Sequence, residues 1–245
     1  MRYLLFLALL ALASTVPPAQ AQVCEGTIIL SDQDDVDAFD CTEVTGSLFI
    51  GTFPNASDII SLSPLSGLTS VGEDLFIRRN VALESLAGLE SIGSVGDDLV
   101  IESNIALSSL SGLDGVVSVG GSVEISSNGA LTSLSGLEGL ASVGDDVRIL
   151  QNSGLISLSG LENLTSATGF SLLGNGALET LEGLEGLASI TFGGGGLSIQ
   201  NNNSLQSLSG LDSLRDCLVS YATRRSIKRI ALRCTIASLT AGIYS

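Results

Sequence analysis

Between residues 46 and 214 the apolar positions of this chain return at a fixed interval, and the polar residues between them return with them. The shared unit reads L-x-I-x-x-N-x-x-L-x-S-L-x-G-L-x-x-L-x-S-V-G. Its asparagines, Asn80, Asn104, Asn128, Asn152, Asn175 and Asn202, are spaced 24, 24, 24, 23 and 27 residues apart. A second series runs through the glycine of SLxGL, at Gly67, Gly88, Gly112, Gly136, Gly160, Gly183 and Gly210. A constant period in the twenties predicts a stacked, all-β solenoid of about seven coils of ~24 residues each. Three segments per unit, typified by VRI, LISLSGL and LASVG, each fit a brief strand, with Gly and GDD at the bends. The expectation is three short strands per coil.

Such a coil cannot bury its apolar side alone; it turns Leu, Ile and Val inward and pairs its backbone with the coils above and below. At one inter-strand spacing per coil, the stack makes a rod of ~34 Å. An asparagine at one fixed position is expected to form a structural ladder whose amides satisfy bend backbone groups or each other. Three N-x-S/T acceptor sites occur, at Asn55, Asn163 and Asn202. Asn202 lies on the ladder and is expected to be turned inward, which leaves Asn55 and Asn163 as the candidate glycosylation sites.

Outside the repeat, residues 1–21 read as a signal peptide: Arg2, then the apolar LLFLALLALA, then Ala19-Gln20-Ala21 as a small-x-small cleavage site. Residues 22–45 would form an N-terminal cap, 46–214 the solenoid, and 215–245 either a basic C-terminal cap or an aberrant tail. That last stretch holds six of the ten basic residues, and from Ala222 it reads as an amphipathic helix. No later run offers the ~20 apolar residues of a membrane span, so the expected location is secreted or cell-surface. Arg78, Arg79 and Arg148 alone are basic between 22 and 214, against a total of 26 acidic residues in the chain. That balance excludes nucleic acid as a partner, since phosphate binding draws on clustered Lys and Arg. Four cysteines, Cys24, Cys41, Cys217 and Cys234, form two equally separated pairs. Pairing within each end is the economical connectivity in an exported chain, with buried thiols as the alternative.

The opening VCEGTIILSDQDDVDAFDCTEVTGSLFI, followed by repeats such as LTSVGEDLFIRRNVALESLAGL, resembles the receptor L-domain family and the related secreted or surface proteins carrying an L-domain-like leucine-rich repeat. The resemblance spans about residues 23–214. It implies a right-handed β-helix with a disulfide-pinned N-terminal cap, and an extracellular binding role; it maps no ligand-contacting residue onto this chain. An ordinary leucine-rich repeat fits less well, because two residues separate the ladder asparagine from the next leucine and no segment has a helical period.

Catalysis finds little to work with. The chain has no histidine, which removes Ser-His-Asp, Cys-His and most zinc arrangements. Its carboxylates recur with the repeat, whereas a catalytic pair should stand apart from it, and no enzyme is expected. Glu90, Asp114, Glu138, Glu162, Glu185 and Asp212 make an acidic stripe, read as a solvated edge. Glu73-Asp74, Asp97-Asp98 and Asp145-Asp146 make a second, broken column at a bend. There Asp97, Asp98, Asp145 and Asp146 are the candidate ligands for a shared Ca²⁺, the one cofactor the sequence suggests. A hydroxyl column, Ser85, Ser109, Ser133, Ser157, Thr180 and Ser207, with Ser111, Ser135 and Ser159 two residues on, could form a flat polar face. The expected function is non-enzymatic recognition of an extracellular protein or glycan through a β-face. The alternatives are an envelope or matrix protein that self-associates through divalent ions on its acidic face, and an ice- or crystal-surface binder.

Overall fold

Among the described residues all strand pairing is parallel and joins residues about one repeat apart. In the computed structural model, which describes residues 22–52, 55–191, 196–215 and 219–222, Leu75, Leu99, Val123, Val147, Phe170 and Leu197 are successive partners. The chain is a parallel β-solenoid of about seven turns of ~24 residues, with three sheets. The expected signal segment 1–21 and both cysteines of the second pair, Cys217 and Cys234, lie outside the described residues, as does the expected amphipathic stretch beyond Ala222.

One side of each coil contributes to a broad nine-stranded sheet, running from Ile28–Leu30 through Leu48–Ile50, Leu75–Arg78, Leu99–Glu102, Val123–Ser126, Asp146–Leu150, Gly169–Leu173 and Gly196–Gln200 to Val219–Ala222. The last of these strands lies beyond residue 214, so the sheet continues one rung past the end of the recognisable repeat. A second side carries two-residue strands: a six-stranded sheet from Val23–Cys24 to Ser142–Val143, and a pair formed by Ser166–Ala167 and Ser189–Ile190. Two of the three expected strand segments are therefore strands.

The third, LxSLxGL, is a string of turns. Its leucines recur every third residue, as Leu131, Leu134, Leu137 and Leu140, and all four are fully buried. Backbone bonds of the i+3 to i kind close the turns: Leu131 N–H to Asn128 C=O at 3.2 Å, Leu137 to Leu134 at 3.2 Å, Leu140 to Leu137 at 2.9 Å. A spacing of three turns every third side chain to one side, whereas a strand does so every second. Single inter-coil bonds, such as Leu110 N–H to Ser135 C=O at 3.0 Å, knit these turns into the stack. Gly112 sits within them at φ +113°, and a Cβ there would overlap the Leu86 carbonyl of the preceding coil. Only glycine allows both that backbone and that approach.

The core is one continuous apolar column from Leu30 to Leu214. The cap closes its N-terminal end. A short helix, Gln33–Asp37, starts at Asp32, whose carboxylate accepts the Asp35 N–H at 2.9 Å, and it buries Val36 completely. Gln33 ties this helix to the first coil: its Oε1 accepts from the Ile60 and Ser61 N–H groups at 2.9 and 3.1 Å, and its Nε2 donates to the Ser61 carbonyl at 3.1 Å. The disulfide joins Cys24 to Cys41 across the cap, with Cα atoms 5.8 Å apart, a span ordinary for the bond. It is in keeping with an oxidising, non-cytoplasmic compartment. Among the described residues no helix is long and apolar enough to cross a membrane.

Candidate functional site

The asparagine ladder occupies the corner after each broad-sheet strand. Asn80, Asn104, Asn128, Asn152 and Asn175 are fully buried. Each Oδ1 from Asn104 onward accepts the backbone N–H of the asparagine one coil earlier, at 2.9–3.0 Å. Each Nδ2 donates to a carbonyl of that earlier coil, as Asn128 does to Ile101 at 2.9 Å. The ladder starts on a different residue, Ser57, whose hydroxyl donates to Asn80 Oδ1 at 2.5 Å. Asn202 accepts from the Asn175 N–H and donates to the Leu172 carbonyl, which commits its amide to the stack. Asn55 and Asn163 are exposed. The residue before each ladder asparagine is left-handed: Arg79, Ser103, Ser127, Gln151 and Asn201 have φ of 56–60°, and glycine occupies that position at Gly174.

The acidic stripe is also structural. Glu90, Asp114, Glu138, Glu162 and Glu185 each accept the N–H of the glycine two residues earlier, at 2.7–3.0 Å. Their charge is exposed, but their geometry fixes the turn. The hydroxyl column is likewise self-satisfied: Ser109 bonds Ser111 at 2.8 Å, Ser133 bonds Ser135 at 3.0 Å and Ser157 bonds Ser159 at 3.1 Å.

At the bend before the broad sheet, Asp74, Asp97 and Asp98 bring carboxylate oxygens within 4.8 Å of one another. Of the four expected ligands, Asp97 and Asp98 meet here, joined by Asp74. Asp145 and Asp146 lie beyond a coil that has Gly121 and Ser122 in the equivalent places. Asp146 is buried and binds Arg148 at 2.6 Å. Two of the three clustered carboxylates already cap the next coil: Asp74 accepts the Asp98 N–H at 3.0 Å and Asp98 accepts the Ser122 N–H at 2.6 Å. Calcium takes six to eight oxygen ligands, so this cluster offers part of a shell. Desolvation at the crowded bend, followed by the charges of Asp74, Asp98, Asp145 and Glu73, raises the Asp97 carboxyl above its ordinary value.

What varies from coil to coil is the outer face of the broad sheet. Its first outward row reads Ile29, Phe49, Phe76, Val100, Glu124, Arg148, Ser171, Ser198 in strand register. The second runs Arg78, Glu102, Ser126, Leu150, Leu173, Gln200. Ile29 is 61% exposed. The Phe49 and Phe76 rings stack with centroids 4.5 Å apart, and the Arg78 guanidinium lies 4.2 Å from the Phe76 centroid. Arg78 also pairs with Glu102 at 3.4 Å, and Glu124 accepts from Ser126 at 3.1 Å. In a chain of net charge −16, these two rows carry two arginines against two glutamates. Sequence reasoning expected recognition through a β-face but named no residue of this one, though the signal was present: the x positions of L-x-I-x-x-N change while their neighbours stay constant. Compared with family models, with curated proteins and with solved structures, the chain has no match.

Proposed function

We propose that this protein is a non-enzymatic recognition module of the receptor L-domain type, secreted or displayed on the cell surface, that holds an extracellular protein or glycan on the outer face of its broad sheet. One observation carries the reading. Inside the solenoid the coils repeat the same residue types for the same structural reasons, while the two outward rows of the broad sheet change from aromatic to charged to hydroxyl or amide along the stack. They include a half-buried aromatic pair, Phe49 and Phe76, that stands on the outer face and not in the core. An apolar cluster on a flat, otherwise polar face is the usual mark of an interaction surface.

The test is capture on intact source cells, using the chain from Gln22 cross-linked with and without a calcium chelator. Recovery of a discrete protein or glycan, lost when Ser171→Glu is introduced on the face, is the expected result. Recovery of only the protein itself or bulk envelope polymer, abolished by chelation and indifferent to Ser171→Glu, would replace recognition with a structural role for the acidic bend.

A further inference from the structure

We infer that the occupant of this face is a single chain of an uncharged polysaccharide, laid along the solenoid axis across the strands; the inference rests on the recognition reading above. Shape comes first. Eight strands at ~4.8 Å and about four residues at ~3.3 Å give a strip ~34 Å long and ~13 Å wide, or about 440 Å². A standard protein partner needs about 800 Å² on each side, so the face suits a ribbon better than a globule.

Chemistry narrows the ribbon. An extended peptide draws its affinity from a sheet edge, where unpaired N–H and C=O groups await it. On this face the strands are already paired on both sides along most of its length, and a peptide laid across them would leave its own backbone groups unmet. A polysaccharide has no such requirement; it offers C–H surface and hydroxyls. The face offers both in return. Ile29, Phe49 and Phe76 form an apolar track over the first three strands, with the buried Val100 beneath its end on the fourth. Apolar side chains return in the second row at Leu150 and Leu173, flanked by the Ser171 hydroxyl and by Ser198 and Gln200, whose Nε2 donates to the Ser198 hydroxyl at 3.0 Å and keeps its second N–H for a ligand.

Charge decides between neutral and anionic polymers. Arg78 is paired with Glu102 and Arg148 with Asp146, and one flank of the strip is the acidic bend of Asp74 and Asp98. A polyanion would meet that flank and a net charge of −16. An uncharged chain meets neither penalty.

The test is affinity electrophoresis of the chain from Gln22 through gels containing uncharged polysaccharides (α- and β-glucans, mannan, xylan, soluble chitin derivatives) and, separately, polyuronates. Retardation by at least one uncharged polymer is expected. It should weaken at least tenfold in Phe49→Asp and in Ser171→Glu, and remain in Ile156→Glu on the turn side. Thermal melts establish that each variant is folded, and Ser171→Glu keeps the test valid should Phe49→Asp not fold. No retardation by any uncharged polymer, retardation by polyuronates alone, or retardation that survives both face substitutions overturns the inference. Source cells separate it from the reading beneath it. Retention lost in Ser171→Glu and after protease, but unaffected by periodate, would sink the polysaccharide and leave the recognition face standing. Retention indifferent to Ser171→Glu would sink both.

Discussion

Asn128 binds its own coil to both neighbours. It accepts from Asn104, donates to the Ile101 carbonyl, and donates its backbone N–H to Asn152, all without exposure to water. Asn128→Ala therefore orphans two buried groups of the previous coil, each costing about 1–3 kcal/mol. The expected loss is about 2–6 kcal/mol by chemical denaturation, and clearly less for Asn202→Ala, whose side chain is only half-buried. Equal losses at the two positions would mean that the ladder does not derive its strength from burial. Asp97 makes the opposite case, because its charge opposes folding. A carboxyl whose pKa is raised in the folded state binds its proton more tightly there. Its cost is full above the folded pKa and vanishes as pH falls below the unfolded value. Asp97→Asn should raise the melting temperature at pH ~7, with the gain shrinking to nothing by about pH 3, below the ordinary carboxylate range. Calorimetry across that interval decides it, and a gain that persists in acid would assign the effect to packing instead.

At the scale of elements, the inward leucines, the ladder and the Cys24–Cys41 bridge were legible because each follows from a repeated or paired residue with one physical use. The turn side was not. LISLSGL alternates well enough to pass for a strand, yet its buried leucines keep a spacing of three, and that count settles the matter in favour of consecutive turns. The acidic stripe was legible as exposed charge but not as a set of glycine N–H acceptors, since a bond from residue i+2 back to i depends on the left-handed glycine that shapes it. The cap is the element whose removal can be measured most directly. Its disulfide closes a loop of sequence separation 17, and loop-closure entropy assigns such a bridge about 3 kcal/mol. Replacing Cys24 and Cys41 together by Ser should lower the denaturation midpoint accordingly. An unchanged midpoint would show that the helix and the Gln33 clamp suffice to close the core.

For the molecule as a whole, the repeat accounts for the solenoid and says nothing of the face. Period, register and core can be read from what recurs, whereas Phe49, Phe76, Arg78 and Arg148 stand where the repeat imposes no choice, and only strand pairing reveals that they adjoin. The ladder has a further consequence. Every rung is directional: the side chain of one coil satisfies the backbone of the coil before it, and its own backbone is satisfied by the coil after. A chain synthesised from its N-terminus thus presents each new coil with a predecessor ready to receive it, as a growing filament presents an end to the next subunit. Nothing in a rung records how many have preceded it. The number of coils is thereby a free variable, open to gain or loss of whole units by duplication or deletion, and the reach of the outer face can change in steps of one strand without any change in how the protein folds.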